Sequence, residues 1–117
     1  MTDRTFRIMV RGVFEQLTEE QRAELLAEAP DHDVLFARFT PEGHLSYDLR
    51  ARADFTFRFQ ESGAADEDLL PATARAEAAA MEWLEQRGYG YKNLRSSAED
   101  LSKAALGKRQ RRDRAAG

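Results

Sequence analysis

Guanidinium groups dominate the chemistry available to this chain. Fifteen of its eighteen basic residues are arginine, and Arg7, Arg11, Arg38, Arg50 and Arg58 fall in segments that read as strands. A planar guanidinium can hold two oxygens of a carboxylate or phosphate at once and can stack on an aromatic ring. Together with Met9, Phe36 and Lys92, these arginines make a candidate face for an anionic ligand or a partner. A second cationic group, Lys108, Arg109, Arg111 and Arg112, stands near the C-terminus and suits a polyanion.

Other chemistries find less support. The chain has no cysteine, which excludes disulfides and thiolate chemistry, and only two histidines. His44 follows a Pro-Glu-Gly turn. His32 lies in Asp31-His32-Asp33, a string that more often builds a turn than a metal site. No glycine-rich phosphate loop, nucleophile elbow or metal-binding helix motif is present. No catalytic, metal or cofactor residue is therefore assigned, and a non-enzymatic binding protein is the favoured reading.

Charge is unevenly spread. The chain carries net −3, yet residues 103–117 hold six cations and one carboxylate, so a tail at +5 leaves residues 1–102 at −8. The sequence divides accordingly into one domain over 1–102 and a basic C-terminal tail over 103–117, expected to be disordered on its own. No stretch is apolar for long enough to span a membrane, and a cytoplasmic setting is the default.

The elements that would position the arginines follow from periodicity. From Leu45 to Gln60 apolar and polar residues alternate without a break, the signature of strands with one buried face. Phe6, Ile8 and Val10 give a first strand ending near Gly12. Thr18 and Gln21 have the spacing of a capping box, and a helix whose inner face carries Ala23 and Leu26 should run to Ala29 or Pro30. A strand over Val34–Thr40 is expected next, joined through the Thr40-Pro41-Glu42-Gly43 turn to a hairpin partner. That pairing sets Phe39 against Leu45, Ala37 against Tyr47 and Leu35 against Leu49.

Around residues 51–54 the chain either reverses or continues as one long bent strand. Reversal is preferred, with Leu49 opposite Phe55, Tyr47 opposite Phe57 and Leu45 opposite Phe59. A helix over Ala72–Arg87 follows, stopped by Gly88, with Ala76, Ala79 or Ala80, Trp83 and Leu84 inside. Tyr89–Arg95 reads as the last strand, and Ala98–Leu101 as a short helical turn.

This order predicts an α+β two-layer sandwich, ferredoxin-like or a variant, with an antiparallel sheet of four or five strands and two helices on one face. The core face would carry Phe6, Ile8, Val10, Leu35, Phe39, Tyr47, Phe55 and Phe57. The open face would show Arg7, Met9, Arg11, Val34, Phe36, Arg38, Ser46, Asp48, Arg50, Thr56, Arg58 and Lys92. Such a face could bind an anionic ligand, pack sheet on sheet in a homodimer around Val34, Phe36 and Met9, or engage nucleic acid or the ribosome together with the tail. A small dimeric enzyme acting on a bound molecule is the remaining alternative.

Several segments have a familiar look as a set: Thr5-Phe6-Arg7, Val10-Arg11-Gly12, Leu17 to Arg22, Phe39 to Leu45, Phe55 to Phe59 and Gly88 to Arg95. The chain resembles, over about residues 5–112, a family of small actinobacterial proteins built on a domain of unknown function. The resemblance implies a cytoplasmic protein, assigns no activity and carries over no catalytic residue.

Overall fold

The computed structural model describes residues 4–101. They form β1 (Arg4–Phe14), α1 (Glu19–Ala27), β2 (His44–Tyr47), β3 (Asp54–Gly63), α2 (Leu69–Gln86) and β4 (Tyr91–Asp100), with short 3-10 turns at Ala29–His32, Val34–Phe36 and Asp66–Asp68. The chain is α+β: a four-stranded open sheet in the order β2-β3-β1-β4, every neighbouring pair antiparallel, with two helices.

One face of the sheet carries the core. Phe6, Ile8 and Val10 of β1, Leu45 and Tyr47 of β2, and Phe55, Phe57 and Phe59 of β3 are all buried. They join Leu25 of α1 and Ala72, Ala76, Ala80 and Leu84 of α2 in a single cluster. The alanine stripe lets α2 lie close over β1 and β4, so that the large rings of the sheet fill what the small side chains leave open. Ala79 is exposed and Trp83 half-buried, its ring edge-on to Phe57 at 5.7 Å. Helix α2 stops where expected, with Arg87 as its C-cap and Gly88 at φ +70°.

α1 begins with the expected capping box: Gln21 N donates to Thr18 Oγ1, and Thr18 N donates to the Gln21 side chain. Its inner face is Leu25, however, because Ala23 and Leu26 are exposed. Nine residues with one buried side chain hold little apolar surface, and a helix this short is marginal by itself. Side-chain bonds tie it down instead. Tyr47 Oη donates to Leu25 O at 2.5 Å, Tyr89 Oη to Glu24 at 3.0 Å, Gln21 to Gly88 O at 2.9 Å and Arg22 to Leu49 O at 3.2 Å.

The expected strand over Val34–Thr40 does not form. Asp33 accepts a hydrogen bond from Leu35 N at 2.9 Å and turns the chain into a 3-10 segment. Leu35 is 85% exposed rather than in the core, and Phe39 is half-buried beneath the Arg7 guanidinium rather than opposite Leu45. Only Thr40 reaches the sheet, as a parallel bridge to Phe59. The Pro41 turn still closes, Gly43 N donating to Thr40 O at 3.2 Å, but as a corner that returns the chain to β3 at His44. Gly43 holds φ +90°, and a Cβ there would stand 2.3 Å from the Phe59 ring, so both conformation and space demand glycine.

The chain does reverse between β2 and β3, two residues out of the expected register. Leu45 pairs with Phe57 and Tyr47 with Phe55. Asp48 makes the turn early by accepting from the backbone of Arg50, Ala51 and Arg52. A shift of two keeps each side chain on its face. β4 runs to Asp100, and the helical turn expected over Ala98–Leu101 is instead strand paired to β1 as far as Asp100.

Candidate functional site

Strand pairing places the side chains of the open face in rows. Gln60, Arg7 and Glu99 make one row across β3, β1 and β4; His44, Arg58, Met9 and Ser97 make the next across all four strands. Ser46, Thr56, Arg11 and Arg95 make the third, and Asp54, Val13 and Lys92 the last. Directly opposed residues share a face, so Arg7, Met9, Arg11, Arg58 and Lys92 stand on one surface, as the alternation predicted.

Three of the eight sequence candidates fall elsewhere. Phe36 lies in the exposed 3-10 segment and Arg50 in the turn after β2, neither on a strand of the sheet. Arg38 is exposed on the connection after that segment, close enough to His44 to depress its protonation. Val34, expected on the same face, is likewise off the strands. The tail residues Lys108, Arg109, Arg111 and Arg112 lie outside the described residues.

One cation of the face escaped the sequence reading. Lys92 and Arg95 are three positions apart, so strict alternation would send them to opposite sides. The β1–β4 register slips between Arg11 and Val13, and Asn93 takes φ +57°. This bulge adds one residue to β4 and turns both cations to the open face. Asparagine, which enters the left-handed region more readily than most residues, was the one available signal.

The arginines are held in place without being neutralised. Arg58 is half-buried and donates to Ser46 Oγ at 2.6 Å, the Arg7 guanidinium lies 5.0 Å from the centre of the Phe39 ring, and Arg11 reaches Met9 Sδ at 3.7 Å. None of Arg7, Arg11, Arg58, Arg95 and Lys92 forms an ion pair among the described residues. Cations elsewhere do: Arg4 meets Asp66 at 2.7 Å and Asp100 at 2.8 Å, and Arg75 meets Glu61 at 2.7 Å. Burial, and then the nearby Arg11, pull the Arg58 pKa down. Positive charge has been gathered here against its own repulsion.

A shallow cleft of ≈ 200 Å³ adjoins Arg58, bordered by Ser46, Thr56, Val34, Asp48 and Asp54. It is smaller than the usual enclosed small-molecule site, and its two carboxylates stand at the end away from Met9. A larger groove of ≈ 630 Å³ lies off the sheet, between Leu26, Pro30, Leu35, Leu49 and Arg50.

The histidines serve the frame. His32 Nδ1 lies 2.9 Å from Leu45 O on the outer edge of β2. His44 is half-buried, and its buried Nδ1 has no hydrogen-bond partner among the described residues. Burial first, then Arg38 and His32, lower its pKa below the ordinary histidine value. Asp33 caps Leu35, so the Asp-His-Asp string makes turns. Among the described residues no cluster of three or more His, Cys, Asp or Glu could hold a metal, and no helix is long and apolar enough to cross a membrane.

Compared with known proteins, residues 1–112 match the model of a family described as a family of unknown function (DUF6204). No curated protein and no solved structure matches the chain.

Proposed function

The chain belongs to the DUF6204 family, whose function is unknown, and on that footing we propose that it is a non-enzymatic binding protein whose open sheet face takes a phosphate-bearing anion. The observation that carries this reading is the unpaired state of Arg7, Arg11, Arg58 and Arg95 on adjacent strands, in a body whose net charge is −8. Guanidiniums fixed by Phe39, Met9 and Ser46 lose little freedom on meeting an oxyanion, so less of the binding free energy goes into ordering them. The ferredoxin-like reading of the fold is part of the same proposal, supported by two interleaved β-α-β units and the strand order β2-β3-β1-β4.

A flat face with one shallow cleft suits an extended or small ligand better than an enclosed one. A sheet-on-sheet homodimer would set the arginines of two copies against each other, which favours an anionic occupant for this face. Calorimetry with inorganic pyrophosphate and with a short single-stranded RNA separates a small anion from a nucleic-acid backbone. If the RNA binds through four arginines, a slope of roughly −0.7 per phosphate gives about −2.8, or roughly 50-fold weaker binding between about 50 and 200 mM salt. Arg11→Ala should reduce that slope by about 0.7. Failure of both probes to bind at about 50 mM salt would refute the proposal.

A further inference from the structure

The two edges of the sheet are treated differently. β2 has only four residues; His32 meets its outward carbonyl at Leu45, and Thr40 occupies the place on β3 just beyond it. β4 is ten residues long, and no described residue hydrogen-bonds to its outer backbone between Tyr91 and Glu99. Long uncovered edges invite another strand and are usually blunted. Here the Asn93 bulge blunts only the beginning, and from Arg95 to Asp100 the strand pairs with β1 without a break.

We propose that β4 is where a second copy of this chain adds, antiparallel about a two-fold axis at Ser97, joining two four-stranded sheets into one of eight. Arg95, Ser97 and Glu99 share the open face through their pairing with Arg11, Met9 and Arg7. In the register centred on Ser97, Arg95 stands opposite Glu99 of the partner subunit, and the symmetry repeats that contact. Opposed side chains in an antiparallel pair have Cβ atoms about 5 Å apart, within reach of an ion pair. Centring the axis on Arg95 or on Glu99 would instead oppose two like charges. In the single chain Glu99 lies opposite Arg7 without forming an ion pair, so its carboxylate is available.

The occupant is a second copy because the complementarity is written into one strand: a cation and an anion four residues apart, on one face, around a small residue. Isologous contacts need that self-complementarity. The paired sheets would also bring the open faces of both copies onto one side, so that Arg11 and Arg58 occur twice along a continuous surface. The pairing does not rest on anion binding, and its test is made without any phosphate present.

Sedimentation equilibrium of the full chain, over a wide concentration range, reads the association. The wild type should dimerise. Arg95→Glu and Glu99→Arg each place two like-charged pairs in the dimer and should raise its dissociation constant at least about tenfold, whereas the double exchange should return it to within about threefold. Amide exchange gives a second measurement that needs no variant: outward amides between Leu94 and Glu99 should become more protected as concentration rises. A wild type that stays monomeric would overturn the proposal. So would a dimer indifferent to either single exchange, or one that the double exchange fails to restore.

Discussion

Tyr47→Phe tests how α1 is held to the sheet. Tyr47 is 3% exposed, and its hydroxyl donates at 2.5 Å to Leu25 O, a carbonyl in the last turn of a nine-residue helix. Carbonyls there lack intrahelical partners, so the tyrosine acts as a cap supplied by β2. Phenylalanine keeps the ring, including its edge contact with Phe14 at 5.9 Å, and leaves the buried carbonyl unsatisfied. The cost should be about 1–3 kcal/mol, equivalent to roughly 4–12 °C in melting temperature for a domain of this size.

Alkaline pH reads a separate property, the burial of the tyrosine hydroxyls. Burial, and then Glu28, hold the Tyr47 pKa far above its ordinary value of 10.0; burial and then the Glu24 hydrogen bond push Tyr89 up to about 12. Above pH 10 the unfolded chain releases these protons while the folded chain keeps them, so stability present below pH 10 declines as pH rises. Thermal melts from pH 8 to 11 followed by circular dichroism should show that decline, with a shallower slope in Tyr47→Phe. A variant within about 0.3 kcal/mol of wild type at pH 8 would refute the capping argument; an unchanged alkaline slope would refute the burial of the Tyr47 hydroxyl.

Acid acts through His44. Its folded pKa lies below 6.5, so the unfolded chain takes up protons first, and stability falls as pH drops from 6.5 towards the folded value. His44→Gln should flatten that part of the profile, by no more than about 1.4 kcal/mol per pH unit, in urea titrations at stepped pH. In the core, Ala76 is 1% exposed where α2 crosses the sheet. Ala76→Leu should destabilise by about 1–3 kcal/mol through overpacking, seen as a lower urea midpoint, and an unchanged midpoint would mean the two layers are looser than described.

The alternation from Leu45 to Gln60 was enough to say which side chains of β2 and β3 face the core, because a strand of period two has only two faces. It was not enough to say which residues face each other, since Tyr47 can meet Phe55 or Phe57 without any side chain changing sides. The early turn at Asp48 made that choice. Thr18 with Gln21, and Gly88 after α2, were legible because capping is local: donor and acceptor lie within a few residues.

Val34-Leu35-Phe36 misled because an apolar run states a wish for burial and not a partner. Asp33 curls it away, and Thr40 alone takes the free place on β3. The arginine surface shows the same division. The sequence by itself determined that β1 and β3 would display Arg7, Arg11 and Arg58 on the face turned from the core. Only the tertiary structure decided that Arg95 joins them while Phe36, Arg38 and Arg50 do not. A single bulge reverses the parity of everything beyond it, and whether a segment reaches the sheet depends on which backbone positions its neighbours leave free.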